Sequence, residues 1–475
     1  MQQYKYLYQV YRRPRRNIDL QLRNFKTKQE LPPDKWNDLG HMILACRAQF
    51  YKVPLSLFDG SVQAHRPLTL EEINKALRFC WDDSHECLIE NRYQLAVLTG
   101  IDRDTWTECR EVLIKNAANR ISLETIEEAA FVLNLDPSEP EEVGDRIKES
   151  AIGKNAGTRW YDIGMQWIVY ANGHVGYAME HSQLDALPVV RVHEEMYKLL
   201  ENVDTRKYDS SYSFKFKEDM ISKLEWDIPE FVQNKIEKSF STYRKVYESW
   251  TVDCKRLNGL GTQILKSNGF SPDSFMQICF QLAYYRLHNH LPSVYETVVT
   301  TLFRDGRTEA GRSVTQESSD FVSRFDSEST SIGEKLNILR NACLSHTQRI
   351  SEARNAKGID RHIFALHQCA RENGIAGIPR ILDTSDNELY RRASRWDLST
   401  SHVTSPKCSA IDHAIAFHPV GVDSIGIVYS MYPYYVDFTV MTDANSKKTE
   451  GKAFMKAVQN AFFDLVFLIL RQSNL

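Results

Sequence analysis

The stretch DIGMQWIVYANGHVGYAMEH, residues 162–181, decides the fold class of this chain of 475 residues. Before it, apolar residues recur at helical spacing, which predicts helices near residues 33–51, 70–84, 105–119 and 123–135. Within it the period changes, and DIGMQWIVY and HVGYAMEH read as two strands joined at Asn172-Gly173, a dipeptide suited to a tight hairpin. The sequence therefore predicts an α/β fold, with His181 at or just past the end of the second strand.

The remainder of the chain repeats this mixture and predicts a second domain, because a chain of this length exceeds the usual size of one hydrophobic core. A polar stretch after the hairpin places the boundary near Met220, between domains 1–219 and 220–475. Ser271 and Pro272 form a helix start, and the segments AIAFHPV, SIGIVYSMY and YYVDFTVMT read as strands. Further helices are predicted over residues 229–249, 332–356, 360–374 and 451–471.

The overall composition, with 42% hydrophobic and 25% charged residues, is typical of soluble globular proteins. A net charge of −3 argues against a nucleic-acid partner. The one dense basic run, RRPRR at residues 12–16, is interpreted as a solvated loop. Since no apolar run reaches the length of a membrane span, no transmembrane segment is expected. The run AFFDLVFLIL, residues 461–470, is interpreted as the buried face of a C-terminal helix.

The cysteines and the chain ends bear on the compartment. Nine cysteines without a CxxC pair predict free thiols in a reducing environment, and neither a cysteine-based zinc site nor any other metal is expected. The N-terminus lacks the apolar region of a secretory signal. The last three residues, 473–475, weakly resemble a peroxisomal address. We therefore expect an intracellular protein, either cytoplasmic, mitochondrial or peroxisomal.

His181 and Asp185 form the first candidate site. A histidine suits general-base chemistry at neutral pH, and a nearby carboxylate can orient the imidazole and stabilise the imidazolium. The same spacing also arises by chance, with a core histidine satisfied by a neighbouring acid. On these residues alone, both interpretations stay open.

Two further groups of residues could bind anions. Lys266 precedes a helix start at residues 271–274, an arrangement that favours a phosphate but also fits an ordinary capped helix. Downstream, the segment containing Thr308, Glu309 and Arg312 and the helix start at Arg361, capped by Asp360, could bind a carboxylate through a guanidinium. The alternative for either arginine is an ion pair with a neighbouring acid.

Hydroxyls on a predicted strand form the last group. In LSTSHV, residues 398–403, Ser399 and Ser401 would project to the same face and could donate to a developing oxyanion. Serines in strands usually have no such role.

The order of these segments along the chain resembles the carnitine/choline acyltransferase family. The motifs RWYDIGMQWIVYANG, EHSQLD, SPDSFMQICFQLAYYR, YETVVTTLFRDGRTE, GIDRHIFAL and LSTSHV follow that family's order at about its spacing. LTGIDRDTW and LIKNAANR also resemble its N-terminal domain. The resemblance covers nearly the whole chain and implies a two-domain coenzyme A-dependent acyltransferase fold, similar to chloramphenicol acetyltransferase, with mixed sheets.

The resemblance implies an O-acyltransferase that moves an acyl group reversibly between coenzyme A and the hydroxyl of carnitine, directly and without an acyl-enzyme. His181 matches the general base, Asp185 the carboxylate that orients it, and Ser401 the hydroxyl that stabilises the oxyanion. Lys266 and Asp273 match contacts to coenzyme A, which enters as co-substrate, so no permanently bound cofactor is expected. We also expect small-molecule partners and a monomer.

Substrate choice rests on positions matched to the family. Tyr295, Thr308, Arg361 and Ser399 match carnitine-site residues, together with Glu309 of GRTE. Choline-using members carry an uncharged residue where Arg361 stands, so the chain looks carnitine-type. Ile415, in the segment that also contains Phe417, falls where short-chain enzymes have a bulky residue, which favours short to medium acyl groups.

The chain departs from the family at several positions. Ala186 stands where a glycine usually follows the carboxylate, Thr262 where a second lysine stands, and His402 where glutamine is usual. Ala310 and Gly311 also differ, and family members have a further segment before the point where this chain begins.

Two alternatives follow from these departures. One is an acyltransferase like the domains attached to fungal polyketide synthases, which release a polyketide onto a polyol. The other is a catalytically weak paralogue that binds coenzyme A or a partner without turnover. The intact set of His181, Asp185, Ser399, Ser401 and Arg361 favours an enzyme.

Overall fold

The computed structural model describes residues 2–24, 26, 30, 38–59, 63–85, 93–154, 156–201, 220–375, 388–407 and 409–472. Contacts divide the chain into two compact units, Met1–Glu248 and Ser249–Leu475, which we call the first and second units. Each unit contains a six-stranded sheet with both parallel and antiparallel pairs. The predicted α/β fold with mixed sheets is therefore confirmed.

The first unit is built around one mixed sheet. Its strands are β1 (Val10–Arg13), β2 (Leu20–Arg23), β3 (His41–Cys46), β4 (Gln49–Pro54), β5 (Ser56–Asp59), β6 (Ala64–Pro67), β7 (Val132–Asp136), β8 (Met165–Tyr170), β9 (Val175–Met179) and β10 (Ser222–Lys223). Its helices are α1 (Leu70–His85), α2 (Arg103–Leu113), α3 (Ala117–Glu127), α4 (Val143–Ala151), α5 (Ala186–Leu200) and α6 (Glu230–Ser249). The sheet order is β10-β4-β3-β7-β8-β9, with parallel β3–β7 and β7–β8 pairs and antiparallel pairs elsewhere.

The hairpin predicted at Asn172-Gly173 is confirmed. β8 and β9 pair antiparallel up to Val169 opposite Val175, and Gly173 adopts a φ of 82°, which suits glycine. β9 is the edge strand of the sheet, and His181 follows its last residue by two positions.

The helix predicted over residues 33–51 is wrong. Residues 31–37 lie outside the described part of the chain, and residues 41–54 form the β3–β4 hairpin, turned at Arg47 and Ala48 with positive φ. All six residues of β3 are buried, between β4 and β7. A strand buried on both faces lacks polar alternation, so its apolar run resembles a helix.

The helices predicted over 105–119 and 123–135 have different boundaries. α2 ends at Leu113, and the side chain of Asn116 accepts hydrogen bonds from Ala118 N and Asn119 N to cap α3. The end of the second range is strand β7, not helix. Asparagine favours a cap over a helix interior because its side chain satisfies the free N–H groups.

The contacts place the division between the units later than the boundary predicted near Met220. α6 belongs to the first unit because Val232 and Ile236 are fully buried there, and the hydroxyl of Tyr243 donates to the carbonyl of Ile152. The polar stretch that suggested the earlier boundary falls mostly on residues 202–219, which lie outside the described residues.

The basic run at residues 12–16 is only partly the solvated loop that the sequence predicted. Arg12 and Arg13 end β1 and form ion pairs, Arg12 with Asp162 and Arg13 with Glu127. Ion pairing of Arg12 is possible because Asp162 is fully buried beside the strand. Arg15 and Arg16 are exposed, as predicted.

The second unit has its own mixed sheet. Its strands are β11 (Trp250–Asn258), β12 (Val294–Val299), β13 (Thr308–Gly311), β14 (Leu398–His402), β15 (Ile425–Met431) and β16 (Tyr435–Asp443). Its helices are α7 (Thr262–Ser267), α8 (Pro272–His288), α9 (Gln316–Phe325), α10 (Ile332–Arg354), α11 (Asp360–Glu372), α12 (Glu388–Ala393) and α13 (Gly451–Gln472). The sheet order is β11-β16-β15-β14-β12-β13, with parallel β15–β14 and β14–β12 pairs and antiparallel pairs elsewhere.

The C-terminal helix α13 packs into the core of the second unit. Phe462 contacts Phe275 of α8 edge to face at 5.8 Å, and Phe454 and Val458 are also buried. Within the described residues, α13 is the one helix long and apolar enough by length and composition to cross a membrane, and half of that stretch is buried in the protein. The predicted buried face over residues 461–470 is confirmed.

The strand predicted for AIAFHPV, residues 414–420, is wrong. Ala414 has a φ of 50°, Pro419 lacks an N–H group, and the segment is irregular. The N–H of Ile415 donates to Ala410 O, and its carbonyl accepts from the hydroxyl of Thr439. The backbone groups of Ile415 are thus satisfied without a ladder.

Candidate active site

His181 lies just beyond the edge strand β9 of the first unit, with 65% of its side chain exposed. Its Nδ1 lies 2.5 Å from the backbone carbonyl oxygen of Leu184. Because a carbonyl can only accept, Nδ1 must carry the proton. The neutral imidazole then has its basic lone pair on Nε2, the tautomer that a general base requires.

The turn that follows His181 is fixed by burial. The side chain of Leu184 is 1% exposed and packs with Trp167 and Val189 in a small apolar cluster. A buried leucine holds its own backbone carbonyl in place, since moving it would expose apolar surface. The hydrogen bond from His181 is thereby anchored to the core of the first unit.

Asp185 holds a different position from the one that sequence predicts. Its Oδ1 lies 3.9 Å from Nδ1 of His181, too long for a hydrogen bond, while its Oδ2 accepts from Nε2 of Gln3 at 2.6 Å. The backbone carbonyl of Leu184 therefore orients the imidazole by hydrogen bonding.

The backbone conformation of Ala186 accounts for alanine at a position where family members usually have glycine. It is the first residue of α5 and lies outside the set of residues with positive φ. Glycine is required only where φ is positive or where the backbone has no room for a Cβ. The backbone after Asp185 therefore accommodates alanine without strain.

Four predicted residues of the second unit meet at one place. Arg361 donates through Nε to the carbonyl of Thr308 at 3.0 Å, and its Nη2 lies 3.4 Å from the Thr308 hydroxyl and 3.5 Å from that of Tyr295. Tyr295 on β12 stands opposite Ser399 on the parallel strand β14. Strand pairing and α11 thus bring Tyr295, Thr308, Arg361 and Ser399 together.

The acids near Arg361 are engaged elsewhere. Asp360 is not the helix cap predicted from sequence; Ile359 takes that position, and the Asp360 carboxylate accepts two bonds from Arg312, at 3.0 and 2.6 Å. Glu309 accepts from the backbone N–H of Ala310 and of Arg361. In the described part of the chain, no carboxylate lies within ion-pairing distance of the Arg361 guanidinium. The ion-pair interpretation therefore applies to Arg312, and Arg361 keeps a positive charge held by neutral acceptors.

Ser399 and Ser401 lie on one face of β14, with Ser399 buried and Ser401 half-buried. Between them, Thr400 faces the opposite side, where its hydroxyl donates to the carbonyl of Tyr295 at 3.1 Å and accepts from Gln277 at 2.9 Å. Thr400 thus fixes the strand while the two serine hydroxyls point away from that network.

The residues proposed for coenzyme A are Lys266, exposed on α7, and Asp273 in the first turn of α8. The predicted helix start is confirmed, because the Ser271 side chain accepts from the N–H of Ser274 and Pro272 is the first residue of α8. Asp273 accepts from the Tyr429 hydroxyl at 2.6 Å.

His402 takes the place of the usual glutamine by stacking on Tyr429, with ring centroids 4.9 Å apart and planes 6° apart. Its Nδ1 lies 3.3 Å from a carboxylate oxygen of Asp273. Burial lowers the pKa of His402, against the attraction of Asp273.

Ile415 and Phe417 lie in the irregular segment between β14 and β15. Ile415 is 8% exposed and Phe417 is half-buried. A Cβ at Gly426 would lie 2.8 Å from the carbonyl oxygen of Phe417, so glycine permits the close approach of this segment to β15.

A buried polar network in the second unit escaped the sequence interpretation. Nε2 of His346 lies 2.7 Å from Glu296, and its Nδ1 lies 2.8 Å from the Ser274 hydroxyl. Burial raises the pKa of Glu296, while His346 opposes that shift. Strand alternation in YETVV could have placed Glu296 on the inner face, opposite to Tyr295, but nothing in the sequence indicates its partner on α10.

Sequence comparisons with known proteins all point to one family of acyltransferases. The sequence profile of the choline/carnitine O-acyltransferases matches residues 1–460. The chain is 29% identical over 440 residues to carnitine O-acetyltransferase of Columba livia, covering 90% of this chain and 66% of that protein. It is 26% identical over 479 residues to choline O-acetyltransferase of Sus scrofa, covering 98% and 70%. It is 27% identical over 460 residues to the liver isoform of carnitine O-palmitoyltransferase 1 of Homo sapiens, covering 92% and 57%.

The chain therefore spans between 57% and 70% of the length of these three relatives. Among solved structures, a wax ester synthase/diacylglycerol acyltransferase from Marinobacter aquaeolei VT8 aligns with a TM-score of 0.34 and 10% identity, covering 71% of this chain and 79% of that one.

Proposed function

Because the chain belongs to the choline/carnitine O-acyltransferase family, we propose that it transfers an acyl group reversibly between coenzyme A and the hydroxyl of carnitine. Family membership supports the coarser reaction, acyl transfer between coenzyme A and an alcohol. The acceptor, the base and the acyl length are inferred from this chain's own residues.

One observation carries the choice of carnitine. The Arg361 guanidinium is held by the carbonyl and hydroxyl of Thr308 and lies beside the Tyr295 hydroxyl, with no acid paired to it among the described residues. A carboxylate is the natural partner of such a group, since guanidinium binds it through charge-assisted hydrogen bonds. Carnitine has a carboxylate and choline has none.

The proposed reaction is a direct transfer. Nε2 of His181 takes the proton of the acceptor hydroxyl as its oxygen attacks the thioester carbonyl, and the carbonyl oxygen becomes an oxyanion. The Ser401 hydroxyl donates to this oxyanion. When the tetrahedral intermediate collapses, the C–S bond breaks and the leaving thiolate takes the proton from Nε2.

Further positions support the roles of the two substrates. Asp185 is proposed as the carboxylate that accompanies the base, with its Oδ1 3.9 Å from Nδ1 of His181. Lys266 and Asp273 are proposed coenzyme A contacts, with coenzyme A arriving and leaving as a co-substrate. Ser399 belongs with Tyr295 at the acceptor site.

Acyl length is proposed from Ile415 and Phe417. A branched side chain that is 8% exposed leaves less room than glycine would at the same position. Short to medium acyl groups are therefore the proposed substrates.

An intracellular location is also proposed, because seven cysteines of the described residues are free thiols.

A thiol-release assay tests this proposal. Acetyl-coenzyme A is supplied with carnitine, choline or sorbitol as acceptor, and free coenzyme A is followed with a thiol reagent, using His181→Gln as the background. Carnitine-dependent release that requires His181 is expected. Release with sorbitol alone would favour the polyketide-type alternative, and no release with any acceptor would favour the coenzyme A-binding paralogue.

A further inference from the structure

Side chains of the N-terminal segment contact the residues on both sides of His181. Gln3 contacts Asp185, Arg12 contacts Glu180, and Gln21 contacts Ser182. These contacts join positions far apart in sequence.

Gln3 holds Asp185 through both ends of its amide. Its Nε2 donates to Oδ2 of the carboxylate at 2.6 Å, and its Oε1 accepts from the backbone N–H of Asp185 at 2.9 Å. Asp185 occupies the N-cap position of α5, yet its side chain makes no capping hydrogen bond. The amide of Gln3 therefore sets the carboxylate so that the other oxygen, Oδ1, is the one nearer to His181.

Arg12 connects the residue before His181 to a buried acid. Its Nη1 lies 3.2 Å from Oε1 of Glu180, and its Nε lies 3.7 Å from Oδ1 of Asp162. The side chain of Glu180 is only 7% exposed, and Asp162 is fully buried, where it also accepts from Arg103 and Trp106. Because both carboxylates are nearly buried, salt in the solvent screens their attraction to Arg12 only weakly. The ion pairs therefore restrict the position of Glu180.

Glu180 and Ser182 form a closed turn around His181. Oε2 of Glu180 accepts from the hydroxyl of Ser182 at 2.5 Å and from its backbone N–H at 3.1 Å. Gln21 in turn donates to the Ser182 hydroxyl at 2.6 Å. The backbone on either side of His181 is thus held from two strands, β1 and β2.

We infer that Gln3, Arg12 and Gln21 are positioning residues that hold the loop of His181 in its working geometry. The inference rests on the proposed function, since it gives His181 the role of base. The side chain of His181 is 65% exposed, its hydrogen bond to Leu184 connects it to the core, and the N-terminal contacts add restraint to the residues on either side of it. Small displacements of a catalytic group lower the rate strongly, by about 10²-fold for roughly 1 Å.

The variants Gln3→Leu, Arg12→Met and Gln21→Leu test this role, with Arg15→Met as the matched control. Arg15 lies in the same segment and is exposed. Three readouts are needed: kcat and KM for acetyl-coenzyme A, the melting temperature, and the NMR titration of the His181 Cε1–H signal, assigned with His181→Ala. Arg12→Lys restores a positive charge and serves as the conservative variant.

We expect kcat to fall about 10- to 100-fold in the three variants, with KM changed less than about twofold, because the geometry of the base is disturbed and substrate binding is not. The chemical shift of the His181 Cε1–H signal should change, because the surroundings of the imidazole change. Arg12→Lys should recover part of the activity, and Arg15→Met should behave as wild type.

Two results would overturn the inference. One is wild-type kcat in all three variants; the other is a loss of activity that only follows loss of folded protein while the His181 signal stays unchanged. Arg12 also pairs with the buried Asp162, so Arg12→Met could misfold. Gln3→Leu and Gln21→Leu leave that ion pair intact, and their kcat values therefore test the positioning role without this risk. If the wild-type protein transfers no acyl group but the His181 signal still shifts in Gln3→Leu and Gln21→Leu, the positioning role is supported and the proposed function is contradicted.

Discussion

The two six-stranded sheets have the same sequence of strand pairings. From one edge to the other, two antiparallel pairs are followed by two parallel pairs and a final antiparallel pair, ending at β9 in the first unit and at β13 in the second. The two sheets therefore share a pattern of strand directions, although the chain connects their strands in a different order. The two units also differ in where they place their functional side chains.

The first sheet places its candidate base beyond the sheet. His181 lies in a loop past the edge strand β9, exposed, and held by Leu184. The second sheet places its candidate groups on the strands, with Tyr295 on β12, Thr308 on β13 and Ser399 on β14. A ladder fixes a strand residue directly, whereas a loop residue needs added contacts. The position of the candidate base therefore depends on contacts from other segments of the chain. The positions of the recognition residues depend on the register of the strands that carry them.

The largest expected effect is the loss of kcat when His181, in the loop after β9, is replaced. His181→Gln should lower kcat by about 10²–10⁴-fold, the usual contribution of a general base. Because the side chain is 65% exposed, the melting temperature should hardly change. Steady-state thiol release measures the effect, with His174→Gln on the same hairpin as control. Equal loss in both variants would show that the hairpin, not the base, is responsible.

On the second sheet, Arg361→Gln should raise KM for carnitine about 10- to 100-fold, since a hydrogen bond to a charged group contributes about 1.5–3 kcal/mol. The turnover at saturating carnitine should stay close to wild type. Kinetics with varied carnitine measure this, and Arg371→Gln on the same helix is the control. An unchanged KM would remove the argument for carnitine.

The buried acids of the two units give a third contrast. Asp162 in the first unit is paired with Arg103, whose charge is permanent, while Glu296 in the second is paired with His346, which titrates. Although burial opposes the charge, the hydrogen bond and charge of Glu296 raise the pKa of His346 above its usual value. Stability from a raised histidine pKa is fully present below the unfolded pKa and is lost as pH rises through the folded one.

His346→Gln should therefore lower the free energy of unfolding by about 1–3 kcal/mol near pH 6, and the difference from wild type should shrink as the pH rises from there through the raised pKa of His346. Melting temperatures across that range measure it. Glu296→Gln should remove the same pH dependence. A difference that is constant with pH would contradict the pairing.

The smallest effect concerns the acyl group. Ile415→Ala should raise the ratio of palmitoyl to acetyl transfer by about 10-fold, the lower end of what a change of a few methylenes gives. Ile427→Ala, a buried change in the core of the same unit, is the control. An unchanged ratio in Ile415→Ala would show that this side chain does not limit chain length.

Local signals made part of this structure predictable. Asn172-Gly173 specified the β8–β9 hairpin, and Ser271-Pro272 specified the start of α8, because both act through neighbouring backbone groups. β3 was missed because its burial on both faces removes polar alternation. Residues 414–420 were misread as a strand because positive φ at Ala414 cannot be inferred from alanine.

The sequence predicted which residues belong to the candidate site, but it did not predict the contacts that these residues make. Sequence motifs identified His181 and Arg361 as candidates, but the hydrogen bond that sets the imidazole tautomer goes to a backbone carbonyl, at Leu184, which no side-chain motif reports. The bond between Gln3 and Asp185 and the register pair of Tyr295 with Ser399 join distant parts of the chain. Such contacts are set by tertiary packing.

Calorimetric titration of carnitine into His181→Gln and Arg361→Gln tests the division between base and recognition most directly. His181→Gln should bind carnitine with the affinity of wild type while its kcat falls about 10²–10⁴-fold, and Arg361→Gln should bind it about 10- to 100-fold more weakly. Loss of carnitine binding in His181→Gln, or wild-type binding in Arg361→Gln, would contradict the account.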